Sequence, residues 1–302
     1  MLAQLQRLGT IAAAAKALHL SPPAVSMQLA ALEREVGFAL TERNGRRLAL
    51  TPAGQVLAQH GHDITDLVSV AEMEIEALRQ GSAGTFRIAA FPTAARSYVT
   101  RTWQQLRDGP LVGPALRLTE LEPDRATAAL ACGDVDLAIT HAYSNVPSVA
   151  APALLATPLV SEDVLLATTA HAAPTPTRSG AARLQEQTSS DWVVPHAELA
   201  CAEMVQRACG AAGFQPTVVA EATDFSVQLA LVAAGIGVAL VPRLAVQHAP
   251  EGLRLQPLQQ PVQRHHFALI RRSSYNDAGI RRILELLEDN ASRLVAQTAA
   301  DT

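Results

Sequence analysis

The chain has little of what would place it in a membrane or an oxidising compartment. Only three of its 302 residues are cysteine, too few for a disulfide framework. Its longest apolar run, residues 229–241, is interrupted by Gly235 and Gly237 and is too short to cross a bilayer. The N-terminus does not follow the charged, then apolar, then small-residue order of an export signal. These absences predict a cytoplasmic protein with no membrane contact. Charged residues amount to 17% and aromatics to 4%, against 49% hydrophobic residues. That balance excludes disorder, and the length leaves room for two or three compact units.

Recognisable catalytic patterns are also missing. No G-x-S-x-G, H-E-x-x-H or G-x-x-x-x-G-K-S/T occurs, and no residue is assigned a catalytic role. Gly235-Ile236-Gly237 follows a helix pattern and opens a strand, the reverse of a dinucleotide site. His265 and His266 are adjacent, so on a strand they point to opposite faces and cannot share a metal. Nine histidines without carboxylates or thiols at ligand spacing predict no metal site and no cofactor.

What the chain does have is an uneven charge. The net value is −4, yet residues 1–51 hold six basic against three acidic side chains, giving +3 there and −7 in the remainder. A basic end on an acidic body suits a nucleic-acid-binding module joined to something else. Within that end, Leu2, Leu5 and Leu8 close a first helix near Gly9. Thr10 caps a second over residues 11–18, and His19-Leu20 makes a tight turn. Ser21 then caps a third helix with Pro22 in its first turn and Gly37 at its end. Val25, Leu29, Leu32 and Val36 form its buried face, leaving Ser26, Met27 and Gln28 outside. Phe38 and Leu40 are expected to pack where a short strand begins. Arg43 to Arg47 form an arginine-rich turn and Leu48 to Leu50 the return strand. This order predicts a helix-turn-helix with a wing whose arginines reach phosphates or a minor groove.

The stretch AAAAKALHLSPPAVSMQLAALEREVGFALTERNGRRLALTPAG resembles the winged helix-turn-helix of the LysR-type transcriptional regulators. Paired alanines, L-H-L-S, A-V-S, L-E-x-x-x-G, the E-R wing entry and L-T-P-A-G occur in the family's order. The resemblance implies binding of double-stranded promoter or operator DNA by Thr10, Ser21, Pro22, Pro23, Ser26, Met27, Gln28, Arg43, Arg46, Arg47 and Thr51. Two positions depart from the family pattern: Pro22 and Met27 stand where polar residues are common, which reduces direct hydrogen-bond readout of bases. Met1 falls inside the family's first helix, so either that helix is short or the start is misassigned.

Thr51-Pro52 open a long helix over residues 52–80. Leu57, Ile64, Ala71 and Leu78 recur by sevens, with Leu67, Val68 and Ile75 between them. Such a seam suits pairing with a second copy. The family uses this helix for dimers, and the resemblance extends the expectation to a homotetramer. Residues 80–84 read as a hinge.

Beyond it, short apolar runs alternate with helix patterns, which predicts an α/β region over residues 85–302. Two lobes are expected, one over about 85–160 plus 265–302 and the other over about 161–264. Gly133–Thr140 (GDVDLAIT) and Val232–Pro242 (VAAGIGVALVP) resemble the recurrent motifs of the LysR-type effector-binding domain. That domain resembles a periplasmic binding protein, with a small co-inducer held between lobes. Ligands in such sheets sit beyond the carboxyl ends of strands, facing helix N-termini. Those positions here are Thr93, Ala94, Glu122, Thr140, His141, His196, Thr223, Asp224 and Phe225. Glu122 and Asp224 favour a ligand carrying an amine, although Asp224 is equally well placed as a helix cap. Peroxide-sensing family members join two cysteines in this region. Cys201 and Cys209 on one helix would stand about 12 Å apart, beyond disulfide reach, and read as structural. The sequence therefore predicts an effector-controlled regulator. The alternatives are an enzyme, or a small-molecule-binding protein, with an appended DNA-binding module.

Overall fold

A computed structural model describes residues 1–44, 47–80, 84–109, 114–147, 153–170, 180–247 and 249–300. The chain divides into two compact units, Met1–Gly81 and Ser82–Thr302.

The first unit contains α1 (Leu2–Leu8), α2 (Ile11–Ala17), α3 (Pro22–Val36), β1 (Thr41–Asn44), β2 (Arg47–Leu50) and α4 (Pro52–Gln80). Its boundaries come from local chemistry. Gly9 leaves α1 in the left-handed conformation with φ 70°, and the Thr10 hydroxyl accepts from the Ala13 N–H at 3.2 Å to start α2. His19 takes φ 54° in the turn, a conformation L side chains seldom adopt. Ser21 then accepts from the Ala24 N–H at 3.3 Å, and Gly37 with φ 76° ends α3. Leu2, Leu5, Ala15, Val25, Leu29, Leu40 and Ala58 form one buried cluster. Phe38 does not join it. The chain leaves α3 through the left-handed Gly37, Leu40 turns inward to complete burial, and Phe38 stays 66% exposed.

The second unit is built on a seven-stranded sheet in the order β10-β6-β11-β5-β3-β4, with β9 paired to β6. In chain order it contains β3 (Thr85–Ala90), α5 (Pro92–Ala94), α6 (Thr100–Asp108), β4 (Ala115–Glu120), α7 (Pro123–Ala131), β5 (Leu137–Tyr143) and β6 (Leu154–Thr169). There follow β7 (Asp191–Val194), α8 (Ala200–Ala211), β8 (Thr217–Glu221), α9 (Phe225–Ala233), β9 (Ala239–Pro242), β10 (Leu253–Pro257), β11 (Gln263–Arg271) and α10 (Ala278–Ala300). A π-helical turn, Ala95–Val99, joins α5 to α6. Strand β3 is parallel to β4 and β5, whereas β11 runs antiparallel to β5 and β6. Strands β7 and β8 form a parallel pair, linked to the region before β9 by the Trp192–Val238 bridge.

Strand β6 is a single strand of 16 residues that runs through residue 160, pairing with β11 over residues 154–163 and with β9 and β10 over residues 164–169. Pro158, which cannot donate to a ladder, gives the appearance of a break. It is accommodated where the β11–β6 register shifts between His266 and Phe267. The two halves of the unit therefore share the continuous strands β6 and β11. The GDVDLAIT stretch also has a structural explanation. Asp136 accepts from the Arg87 N–H at 2.9 Å, from Arg87 Nη2 at 2.8 Å and from Arg271 Nη2 at 3.1 Å, tying β3 and β11 to the start of β5.

Candidate functional site

In the first unit, the apolar face of α3 is committed to the core through Val25 and Leu29. The residues between them, Ser26, Met27 and Gln28, face solvent together with Ser21, Pro22 and Pro23, and Met27 is 72% exposed. Helical periodicity thus places a small polar-and-apolar patch on the outside of this helix. Four expected contact residues are engaged internally, Ser21 among them as the cap of α3. Thr10 caps α2, the Ser26 hydroxyl donates to the Pro22 carbonyl at 3.1 Å, and the Thr51 hydroxyl donates to the Ala39 carbonyl at 2.7 Å while accepting from the Gly54 N–H. Ser26 stays exposed, whereas Thr51 joins Ala39, just before β1, to the first turn of α4. Arg46 lies outside the described residues, as do the side chains of Arg43 and Arg47. Sequence reasoning gave Glu33 no role. Its carboxylate accepts from the N–H groups of Leu40 and Thr41 at 2.8 and 2.9 Å.

In the second unit, Thr93, Glu122, His141, Thr223, Asp224 and Phe225 come together around one small pocket, joined by Phe91, Arg96, Cys201 and Arg264. Four of these positions open helices, so chain topology converges on the pocket as the sheet rule requires. Ala94 is fully buried and does not line it. Thr140 lines a larger neighbouring chamber of about 800 Å³, whose wall also includes His141. His196 reaches neither cavity, because its side chain turns to solvent with Nδ1 4.0 Å from Glu221. Asp224 serves as a cap, accepting from the Ser226 N–H at 2.8 Å, and stands 3.9 Å from Arg96.

Behind the pocket lies a buried ionic group absent from the sequence expectations. Arg264 donates to Glu162 through Nε at 2.8 Å and Nη2 at 2.6 Å, and to the Thr93 hydroxyl at 2.9 Å. Glu162 also meets His266 Nε2 at 2.8 Å, and the other nitrogen of that ring meets the Tyr98 hydroxyl at 3.1 Å. Phe91 stacks 5.1 Å from the guanidinium carbon. Burial by itself would raise the Glu162 carboxyl, but the Arg264 charge and the His266 hydrogen bond bring it down to about 2. Burial lowers His266 against the opposing Glu162 hydrogen bond, and lowers His141 well below the usual histidine range. The signal for this group was present in the alternation of Arg264 and His266 on one face of a strand, but its partner lies 102 residues away.

Glu122 is half-buried, and burial raises its carboxyl against the opposing charge of Arg264, with Glu120 and Asp124 adding to the rise. Cys201 and Cys209 are free and buried on α8, and burial pushes both thiols up to about 12. At neutral pH neither is the thiolate that oxidation or nucleophilic attack needs. His265 contacts the Ser161 hydroxyl at 2.7 Å on the face opposite His266. The pocket thus offers fixed charges, hydrogen-bonding groups and an apolar wall, the equipment of a binding site.

Residues 1–55 match the family described as bacterial regulatory helix-turn-helix protein, lysR family, and residues 79–292 match the LysR substrate binding domain. The chain is 30% identical over 137 residues to the HTH-type transcriptional regulator ClcR of Pseudomonas putida, covering 45% of this chain and 46% of ClcR. It is 32% identical over 236 residues to a probable hydrogen peroxide-inducible genes activator of Streptomyces viridosporus, covering 78% of this chain and 73% of that protein. Among solved structures, the Corynebacterium glutamicum OxyR C206 mutant aligns with a TM-score of 0.61 at 23% identity, over 99% of this chain and 92% of that one. No described helix is long and apolar enough to cross a membrane. The matches to both halves agree with the exposed helix of the first unit and the pocket of the second: the chain belongs to the LysR family of transcriptional regulators, with a helix-turn-helix unit followed by an effector-binding domain.

Proposed function

We propose that this regulator binds promoter or operator DNA through α3 and the wing, as a dimer held by α4 that pairs into a tetramer. The reading rests above all on the exposed Ser26-Met27-Gln28 patch of a helix whose opposite face is buried. Residues 1–51 form the DNA-binding part, 52–80 the linker and 85–302 the effector domain. Arg43, Arg46 and Arg47 supply phosphate contacts whose strength falls with salt. With Met27 and Pro22 at the surface, base reading relies on Ser26, Gln28 and contact with thymine methyls. A small effector in the pocket around Thr93, Glu122, His141, Thr223 and Asp224 shifts the balance of domain arrangements, and thereby DNA affinity. No covalent step is involved, and the protein works in the cytoplasm as a regulator and not as an enzyme.

The test is genome-wide recovery of DNA bound by the full chain, followed by affinity measurements on the recovered sites. Ser26→Ala and Arg46→Ala each weaken operator binding, and the effector domain retains its ligand. Unchanged operator affinity in both variants removes α3 and the wing as the DNA surface.

A further inference from the structure

Strand β6 continues two residues beyond its last pair with β9, Ala167 opposite Ala239. There Thr168 and Thr169 still pair with Arg254 and Leu253 of β10, but β9 no longer flanks them on the other side. The chain ahead of β9 turns away toward β7, and the Val238 N–H donates to the Asp191 carbonyl at 2.8 Å. Gly237 permits that approach, since a Cβ there would stand 2.6 Å from the same oxygen. The notch so formed is a cavity of about 240 Å³ at the amino ends of β7 and β9. The pocket around Thr93 lies instead past the carboxyl ends of β3 and β8, where the sheet rule places ligands.

The walls of the notch are polar and carry both signs of charge. Thr168 and Arg254 are cross-strand partners and share a face, and Gln256 follows on that face two residues later. Arg254 is held in place by donating through Nη2 to the Ala170 carbonyl at 2.9 Å, and Gln256 by donating to the Gly180 carbonyl at 3.1 Å. From the start of β7 come Ser190 and Asp191, the Ser190 hydroxyl donating to Gln187 at 2.8 Å. The Asp191 side chain has no ion-pair or hydrogen-bond partner among the described residues. Ile236 adds an apolar edge.

Thr168 carries the clearest sign of a ligand. It is 5% exposed, yet its hydroxyl has no hydrogen-bond partner among the described residues and keeps accessible surface. Buried hydroxyls normally find partners, so one left open on a cavity wall marks the place of a ligand's polar group.

We propose that this notch is a second binding site of the effector domain, taking a small polar zwitterion of amino-acid size. The ligand's carboxylate meets the Arg254 guanidinium, its ammonium meets Asp191, and its side-chain polar group meets the Thr168 hydroxyl. A guanidinium fork suits a carboxylate, and the volume, below that of pockets for drug-sized ligands, limits the size. A ligand of one charge would lie close to a like charge on the notch wall, whereas a zwitterion meets an opposite charge at each end. The site is separate from the pocket given to the effector, so it does not depend on that reading.

L-serine, 3-hydroxypropionate and ethanolamine share one skeleton and carry both charges, the acid alone and the amine alone. Calorimetric titration of the full chain at neutral pH gives tightest binding for serine. Arg254→Gln lowers serine affinity about tenfold without weakening ethanolamine, and Asp191→Asn lowers it equally without weakening 3-hydroxypropionate, each losing one charge-assisted contact. Thr168→Val lowers serine affinity about fivefold, the worth of one neutral hydrogen bond, and does not lower the melting temperature of the unliganded chain. Serine that binds no tighter than either fragment, or variants that leave its affinity unchanged, overturn the proposal. Serine binding that is lost in Thr93→Val and intact in Arg254→Gln belongs to the other pocket and overturns it as well. If serine gives no heat at millimolar concentration, the notch holds water only and the proposal falls.

Discussion

Glu33, in the last turn of α3, accepts from both the N–H and the hydroxyl of Thr41, at 2.9 and 3.0 Å. With the additional bond from the Leu40 N–H, one carboxylate fastens the reading helix to the first strand of the wing. Glu33→Ala therefore costs about 1–3 kcal/mol, the range for hydrogen bonds to a charged group. The Leu40 bond leads in holding this carboxyl below its ordinary value. Its contribution is thus complete above the ordinary carboxylate range and is lost as pH falls through the lower folded-state value. Urea unfolding of wild type and variant checks this, with the stability difference narrowing under acid.

Gly54 tests the junction from the other side. A Cβ placed there would collide with the Leu40 carbonyl oxygen, a backbone atom that cannot step aside cheaply. Gly54→Ala is expected to destabilise the first unit by about 3 kcal/mol, the upper end of ordinary overpacking. A thermal melt that is unshifted relative to wild type contradicts this close approach.

The pairing of Glu162 with Arg264 makes a third prediction. Glu162→Gln removes the charge opposite a guanidinium that is 1% exposed, and breaking such a pair costs about 3–5 kcal/mol. Because the folded carboxyl is held at about 2, its stabilisation is present above the usual glutamate range and disappears progressively as pH falls toward that value. Chemical denaturation across an acid pH series measures the loss. Arg264→Met together with Glu162→Leu should recover much of the stability, since neither charge is then left buried alone.

On α4, Ile64 is 61% exposed and Val68 is 53% exposed, as expected of a seam awaiting a second copy. Ile64→Glu shifts the assembly toward monomer in sedimentation velocity and weakens operator binding by loss of paired contacts. If the sedimentation coefficient does not change, Ile64 is outside the dimer contact. Leu67, Ala71, Ile75 and Leu78 complete the expected seam, but their side chains lie outside the described residues.

Much of the first unit was legible because its signals are local. Thr10, Ser21 and Gly37 act within a turn of their own position, and a 3.6-residue period separates Val25 and Leu29 from Ser26 and Gln28. Glu33 escaped notice because its partners follow seven and eight residues later, across a turn whose path the sequence does not specify. In the second unit the strand ends indicated Thr93, Glu122, His141, Thr223 and Asp224, which do meet at one pocket. His196 satisfied the same strand-end rule and still points away, because the rule locates a backbone position and leaves side-chain direction open.

The order of elements, the separation of a basic reading unit from an acidic α/β body, and the family are all legible in the linear chain. Period, caps and charge are properties of neighbouring residues and survive in one dimension. The folded chain was needed to see that β6 runs unbroken past Pro158, and that Arg264, Glu162, His266 and Tyr98 form one buried ionic group. It alone placed His141 as a wall common to pocket and chamber. These relations join residues up to 168 positions apart, and their energies depend on burial and distance, which exist only once the chain has closed on itself.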